Sequence, residues 1–205
     1  MPCSLSRTTL ALLLVTASVS PAVAAQTTAD SVRQYNLKAD TEFMTGMIGH
    51  HAQAVLIAGW APSHGASESV QALCARIVVG QQDEIALMQR WLRARGQPVP
   101  DPASPHAMMP GMDHTMMMPG MLTAEQLAQL DQARGPDFDR LFLTFMIQHH
   151  MGAITMVNAL FETQGATQDE TSFRLASDVY ADQTTEIARM QKMLAALPAG
   201  DTSSK

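Results

Sequence analysis

The stretch FMTGMIGHH at 43–51 returns 99 positions later as FLTFMIQHH at 142–150. Aligning 40–59 with 139–158 pairs eight identical residues in twenty, including Asp, Phe, Met, Ile and both histidines. A second alignment, 79–92 with 181–194, pairs seven in fourteen, among them Gln, Glu, Ile and Met. The offset grows from 99 to 102, so the second copy carries three extra residues between its two matching parts. Whatever this chain folds into must accommodate one unit used twice.

Each copy reads as a helical hairpin. Phe43, Met47, His50, Ala54 and Ile57 fall at steps of four and three, which places them on one helical face. Val70, Leu73, Ile77, Gln81, Glu84, Met88 and Trp91 form the stripe of a second helix. Helices are expected at about 37–61 and 67–95, stopped by Pro62 with Gly65 and by Gly96 with Pro98. Their repeats fall at about 136–163 and 168–197, the last with Leu175, Val179, Gln183, Glu186, Met190 and Met193 on its stripe. Thr123 followed by Gln126 predicts a capping box and a short helix to about residue 133. One amphipathic hairpin cannot bury its apolar face alone, but two can bury theirs together. The expectation is an all-α protein, a four-helix bundle of two hairpins related by a pseudo-twofold axis, plus the short helix. No segment has the period-two alternation of a strand.

The remaining segments divide the chain. Residues 1–25 combine Arg7, the apolar run TLALLLVTASV and a small-residue cleavage pattern near Ala24 or Ala25. That is the pattern of a secretory signal peptide, and the run is too short to span a bilayer. Cys3 precedes the run, which argues against a lipoprotein. A tail at 26–36 follows, then the first hairpin (37–96), a connector (97–121), the short helix with the second hairpin (122–197), and a tail at 198–205. The expected destination is the bacterial periplasm, without membrane insertion. The formal charge of −6 becomes one unit more negative without Arg7, which disfavours nucleic acid and anionic membranes as partners. Loss of Cys3 would leave Cys74 alone, in an apolar pattern that reads as buried.

Two accounts fit the polar residues on the apolar stripes. His50 and His51 diverge by 100° around their helix, so each pairs more readily with Met47, one turn back, than with the other. Glu84 and Met88 are likewise one turn apart, as are Glu186 and Met190. One account is a buried His–Glu–Gln hydrogen-bond network that fixes register, since an unpaired buried polar group costs roughly 1–3 kcal/mol. The other is a metal site of imidazole nitrogen, thioether sulfur and carboxylate oxygen. The connector favours the second. HAMMPGMDHTMMMPGM places His106, Met108, Met109, Met112, His114, Met116, Met117, Met118 and Met121 in sixteen residues. Thioether is a soft neutral ligand suited to Cu(I) above zinc, iron or magnesium, with Cu(II) the alternative oxidation state.

The sequence MPGMLTAEQLAQLDQARGPDFDRLFLTFMIQHHMGAITM, with FMxxMIxHHxxA in the first hairpin and QxxEIxxM in both, resembles the bacterial family known as domain of unknown function 305. The resemblance covers about residues 37–197. It implies a ferritin-like four-helix bundle and, from the family's CopM-like members, periplasmic copper binding. It also implies Met47, His50, His51, Met146, His149 and His150 as ligand positions, with Met44 nearby. Leu143 departs from the Met at the equivalent position 44, and Gly152 stands where a polar residue is common, so the two sites are expected to differ in affinity. A copper-sequestering or copper-delivering protein, with another periplasmic carrier or an efflux component as partner, is the leading reading. A bundle that binds a protein partner through a Met-rich surface is the alternative. A di-iron enzyme is disfavoured, because the chain has no Glu-x-x-His. Zinc is disfavoured by the lack of Cys or a dense carboxylate set.

Overall fold

A computed structural model describes residues 35–103 and 118–198. The signal-peptide reading, both tails beyond these limits, and His106, Met108, Met109, Met112, His114, Met116 and Met117 lie outside the described residues. Those residues form five helices: α1 (Leu37–Ala58), α2 (Glu68–Ala94), α3 (Ala124–Gln132), α4 (Gly135–Glu162) and α5 (Glu170–Ala196). No strand occurs among them. The ends follow local chemistry. Ser67 and Asp169 accept hydrogen bonds from the backbone of Val70 and Ser172, as N-caps do. Thr123 and Gln126 form the reciprocal capping box at α3. Helix α1 stops three residues short of the expected 61, because Gly59 to Gly65 turn back as a non-helical loop ahead of the Ser67 cap.

Helices α1 and α2 pack as one hairpin, α4 and α5 as the other, and α1 against α4 joins them. The pseudo-symmetry extends to the loops. Asp40 of α1 is fully buried and accepts from the backbone N of Thr167, in the loop of the second hairpin, at 2.8 Å. Its repeat mate Asp139 of α4 accepts from the backbone N of Ser67, at the loop of the first, at 3.1 Å. Asn36 N donates to Gly165 O at 2.7 Å, and Gly135 N donates to His64 O at 2.8 Å. Each hairpin therefore ties down the other's turn.

The interior contains two apolar clusters. One gathers Ile57, Leu73, Ile77, Phe138, Phe142 and Met146. The other gathers Phe43, Met47, Ile48, Met88, Leu92, Val157 and Val179. On α1 the change from one cluster to the other falls between Ile48 and Ala54, and on α4 between Met146 and Ala153. His50, His51, His149 and His150 occupy those intervals. All four are at most 1% exposed. A polar layer thus crosses the middle of an otherwise apolar bundle.

Candidate metal centre

The layer is built from two identical clamps. His51 Nε2 donates to Glu84 Oε2 at 2.7 Å within the first hairpin, and His150 Nε2 donates to Glu186 Oε2 at 2.7 Å within the second. The carboxylates lie toward the surface, their side chains 16% and 19% exposed, while the rings are enclosed. A carboxylate can only accept, so Nε2 of each ring carries a proton and Nδ1 is the position left for a lone pair. Carboxylate-bonded histidine of this kind is the arrangement that orients metal ligands. Gln81 is not part of it. Glu84, one turn further along α2, reaches His51, and both amide atoms of Gln81 stay buried without a partner among the described residues. The expected His–Glu–Gln network is therefore a pair of His–Glu bonds.

His50 and His149 meet across the hairpin interface, their ring centroids 3.9 Å apart and their planes tilted by 41°. Within each pair the rings are further apart, 6.4 Å for His50 and His51 and 6.3 Å for His149 and His150. Adjacent histidines thus diverge, as the helix requires, and the close contact is between hairpins. Burial is the main force holding His50 down to a pKa of about 3, with the neighbouring His51 contributing. Burial also puts His149 well below the ordinary imidazole range, with His50 the next cause. Burial lowers His150 too, against the opposing pull of Glu186. His50, His149 and His150 are therefore neutral near pH 7, the form that ligates.

Five ring nitrogens in this layer have no hydrogen-bond partner among the described residues: Nδ1 of His50, His51 and His150, and both nitrogens of His149. His64 supplies the contrast. It is also buried, yet its Nδ1 accepts from Ser63 Oγ at 3.0 Å and its Nε2 donates to Asp131 O at 3.0 Å, while its ring stacks on Trp60. Each orphaned nitrogen costs about 1–3 kcal/mol unless something else meets it. His64 is what a structural histidine looks like in this fold, and the other four differ from it.

Thioethers are buried in the apolar clusters on either side of the layer. Met47 and Met146, one turn before the histidines, are fully buried, as are Met44, Met88 and Met190. Among the described residues no three His, Cys, Asp or Glu side chains are grouped to hold one ion. Imidazole pairs completed by sulfur are the donor set that remains. Cys74 is buried and free, with burial raising its thiol to a pKa of about 12, so it does not supply a thiolate.

The end of the connector docks on this layer. His50 Nε2 donates to Pro119 O at 3.0 Å. Gln53 accepts from Leu122 N at 2.8 Å and donates to Leu122 O at 3.2 Å. Gln148 donates to Gly120 O at 3.4 Å. Met118 to Met121 form a Pro–Gly turn, with Gly120 at φ +76°, where an L side chain is strained. The turn lies on α4 so tightly that a Cβ at Gly152 would sit 2.0 Å from Pro119 O. Backbone fills the place a side chain would take at Gly152, so only glycine fits there. Met118 is laid over α1, its Sδ 3.4 Å from where a Cβ on Gly46 would be. Met118 is thus brought to the helix face one turn before His50, and Met121 is half-buried in the same turn. Sequence reasoning missed Gln53, Gln148 and the His50–His149 contact. Only Gly152 carried a signal, as a glycine in mid-helix opposite a repeat mate, Gln53, that is not one.

Comparisons with known proteins agree with this architecture. No curated protein matches the chain. Among solved structures, a DUF305 fragment from Deinococcus radiodurans is 28% identical, with a TM-score of 0.66, covering 80% of this chain and 99% of that one. A DUF305 protein from Streptomyces coelicolor, described as secreted, is also 28% identical, with a TM-score of 0.65 and coverage of 77% and 92%. CopM in its Cu(II)-bound form is 27% identical, with a TM-score of 0.60 and coverage of 76% and 95%. CopM in its Cu(I)-bound form is equally similar, at 27% and 0.59. The family model for the domain of unknown function DUF305 matches residues 40–194, and the chain belongs to that family.

Proposed function

We propose that this protein binds copper, Cu(I) in preference to Cu(II), and serves to sequester or pass on the ion rather than to catalyse a reaction. The observation that carries the reading is the set of five imidazole nitrogens without a partner among the described residues, in an otherwise apolar interior, beside a His64 whose two nitrogens are both met. The donor chemistry supports copper. Neutral imidazole and thioether are the ligands to hand, and thioether selects a soft monovalent ion. His50, His51, His149 and His150 supply nitrogen, and Met47 and Met146 supply sulfur. Glu84 and Glu186 hold two of the rings in the ligating tautomer. Met44, Met88 and Met190 line the interior next to them, and the Met-rich connector would gather the ion before it reaches the helices. The similarity to CopM, solved with Cu(I) and Cu(II), supports the same reading. An exported location, with a periplasmic carrier or efflux component as recipient, fits the leader pattern at 1–25 and the secreted relative.

The test is an anaerobic Cu(I) titration of the mature protein against a competing chelator. Wild type is compared with a Met47→Leu, Met146→Leu variant and with one in which the connector methionines are Leu. Leu keeps the apolar volume and removes only the sulfur. Loss of affinity in the first and of capacity in the second is expected. Unchanged uptake in both would refute copper binding through sulfur and leave the connector as a contact surface.

A further inference from the structure

The four layer histidines are enclosed, so an ion reaches them only if part of the fold moves. Toward α2 and α5 the layer is closed by Glu84 and Glu186, each 2.7 Å from a histidine Nε2. Hydrogen bonds to a carboxylate are roughly twice as strong as neutral ones. Toward the connector it is closed by the turn Met118–Met121. That turn is held by a neutral bond from His50 to Pro119 O at 3.0 Å and a long one from Gln148 to Gly120 O at 3.4 Å, with the Gln53 clasp on Leu122 at its far end. Met118 and Met121 are only half-buried, so little apolar burial opposes its opening. The turn is the weaker closure.

It also has room to move. Pro119 borders a groove of about 470 Å³ between the start of α1 and the end of α4, lined by Ala39, Phe43, Met156, Ala159 and Leu160. Leu122, the next residue after the turn, is buried in the core and fixes one end, as a hinge requires. In the closed position Pro119 O takes the Nε2 proton of His50 and leaves Nδ1, which has no partner among the described residues. The turn thus orients His50 as Glu84 orients His51.

We propose that the turn Met118–Met121 is a movable cover: it swings into the groove to admit an ion to His50 and His149, then recloses with Pro119 O on the His50 ring. That the cargo is copper rests on the reading above; the opening itself is a property of the metal-free chain. The same bonds close the turn with and without the ion. Loosening them should therefore speed uptake and release together and leave affinity unchanged.

Two variants outside the proposed ligands test it. Gln53→Ala, Gln148→Ala removes the side-chain bonds to residues 120–122, and Ala159→Trp fills the groove from its exposed wall. In metal-free protein, diethyl pyrocarbonate acylates accessible neutral imidazole, and tandem mass spectrometry assigns the ring. His50 and His149 should react about tenfold faster in the double variant, the equivalent of about 1.4 kcal/mol. They should react more slowly than wild type in Ala159→Trp, and His51 and His150 should lag in every case. Stopped-flow rates of Cu(I) exchange with a chelator should follow the same order at unchanged Kd. Equal acceleration of all four rings would mean general unfolding, and earlier reaction of His51 and His150 would put the entrance between α2 and α5. Either result, or rates that no variant moves, overturns the cover. The expected acylation pattern in a chain that takes up no copper would uphold the cover and sink the copper reading alone.

Discussion

The two hairpins present the same clamp but not the same neighbour. His51–Glu84 and His150–Glu186 have identical 2.7 Å bonds at repeat-related positions. His50 and His149, one residue earlier, are treated differently: His50 donates to Pro119 O, whereas neither nitrogen of His149 has a partner among the described residues. The cause is the connector. Its last turn needs a flat place to lie, and Gly152 provides it where the first hairpin has Gln53, which instead clasps Leu122. What the repeat kept is the buried ligand chemistry. What it changed is the outer face where the Met-rich segment docks.

The largest test of this comparison uses acid. His50 and His149 are held neutral by burial, so between about pH 3 and pH 6.5 the unfolded chain takes up protons that the folded apo-protein refuses. Stability should therefore rise with pH across that window and be lost as pH falls below 6.5, by about 1.4 kcal/mol per pH unit for each such histidine. Urea unfolding of apo-protein at a series of pH values checks it. A variant lacking His149 should show a slope shallower by one proton, and a slope unchanged from wild type would contradict the burial account.

Next in size is the docking face. Gly152→Ala puts a Cβ against Pro119 backbone, which cannot swing aside as a side chain would. The turn should be displaced, His50 left without its acceptor, and stability lowered by roughly 3 kcal/mol in denaturant unfolding. Exchanging the repeat mate, Gln53→Ala, should cost less, about 1 kcal/mol, because two hydrogen bonds are lost without a clash. Equal costs would mean that the asymmetry of the two hairpins is not set by the connector.

The smallest expected difference is between the clamps themselves. Glu84→Gln and Glu186→Gln each replace a charged acceptor by a neutral one, which should cost about 1 kcal/mol in apo stability and roughly 10- to 100-fold in copper affinity. The two variants should agree with each other in both measurements, as read by calorimetry and chelator competition. A marked inequality would show that the clamps are not functionally repeated.

How much of this could be read from the sequence depends on the range of the interaction. Helix periodicity and the Thr123–Gln126 box are local, and α1 to α5 follow them closely. The burial of His50 followed from its place on an apolar stripe, whereas His51, 100° round the helix, is equally buried without having been on that stripe. The 3.9 Å meeting of His50 with His149 did not, because it depends on where α1 crosses α4. Asp40 and Asp139 stood out as an identical pair in the repeat, but their work of capping the opposite hairpin's loop is long-range and leaves no spacing signal. Gln81 was misplaced because its stripe position is shared with Glu84, and stripe position does not tell which of two side chains reaches a partner.

Everything in the account turns on whether the unpartnered nitrogens are there for a metal. His149→Leu removes two of them and leaves an apolar side chain in an apolar interior. Melting wild type and this variant with and without Cu(I), under anaerobic conditions, separates the cases. The account predicts that the apo-variant melts no lower than apo wild type, since no hydrogen bond is lost, and that the stabilisation gained from copper shrinks sharply; that gain is about 2.7 kcal/mol at a hundredfold excess over Kd for a native-state ligand. A variant whose apo form is clearly less stable, yet which copper stabilises as much as wild type, would contradict it.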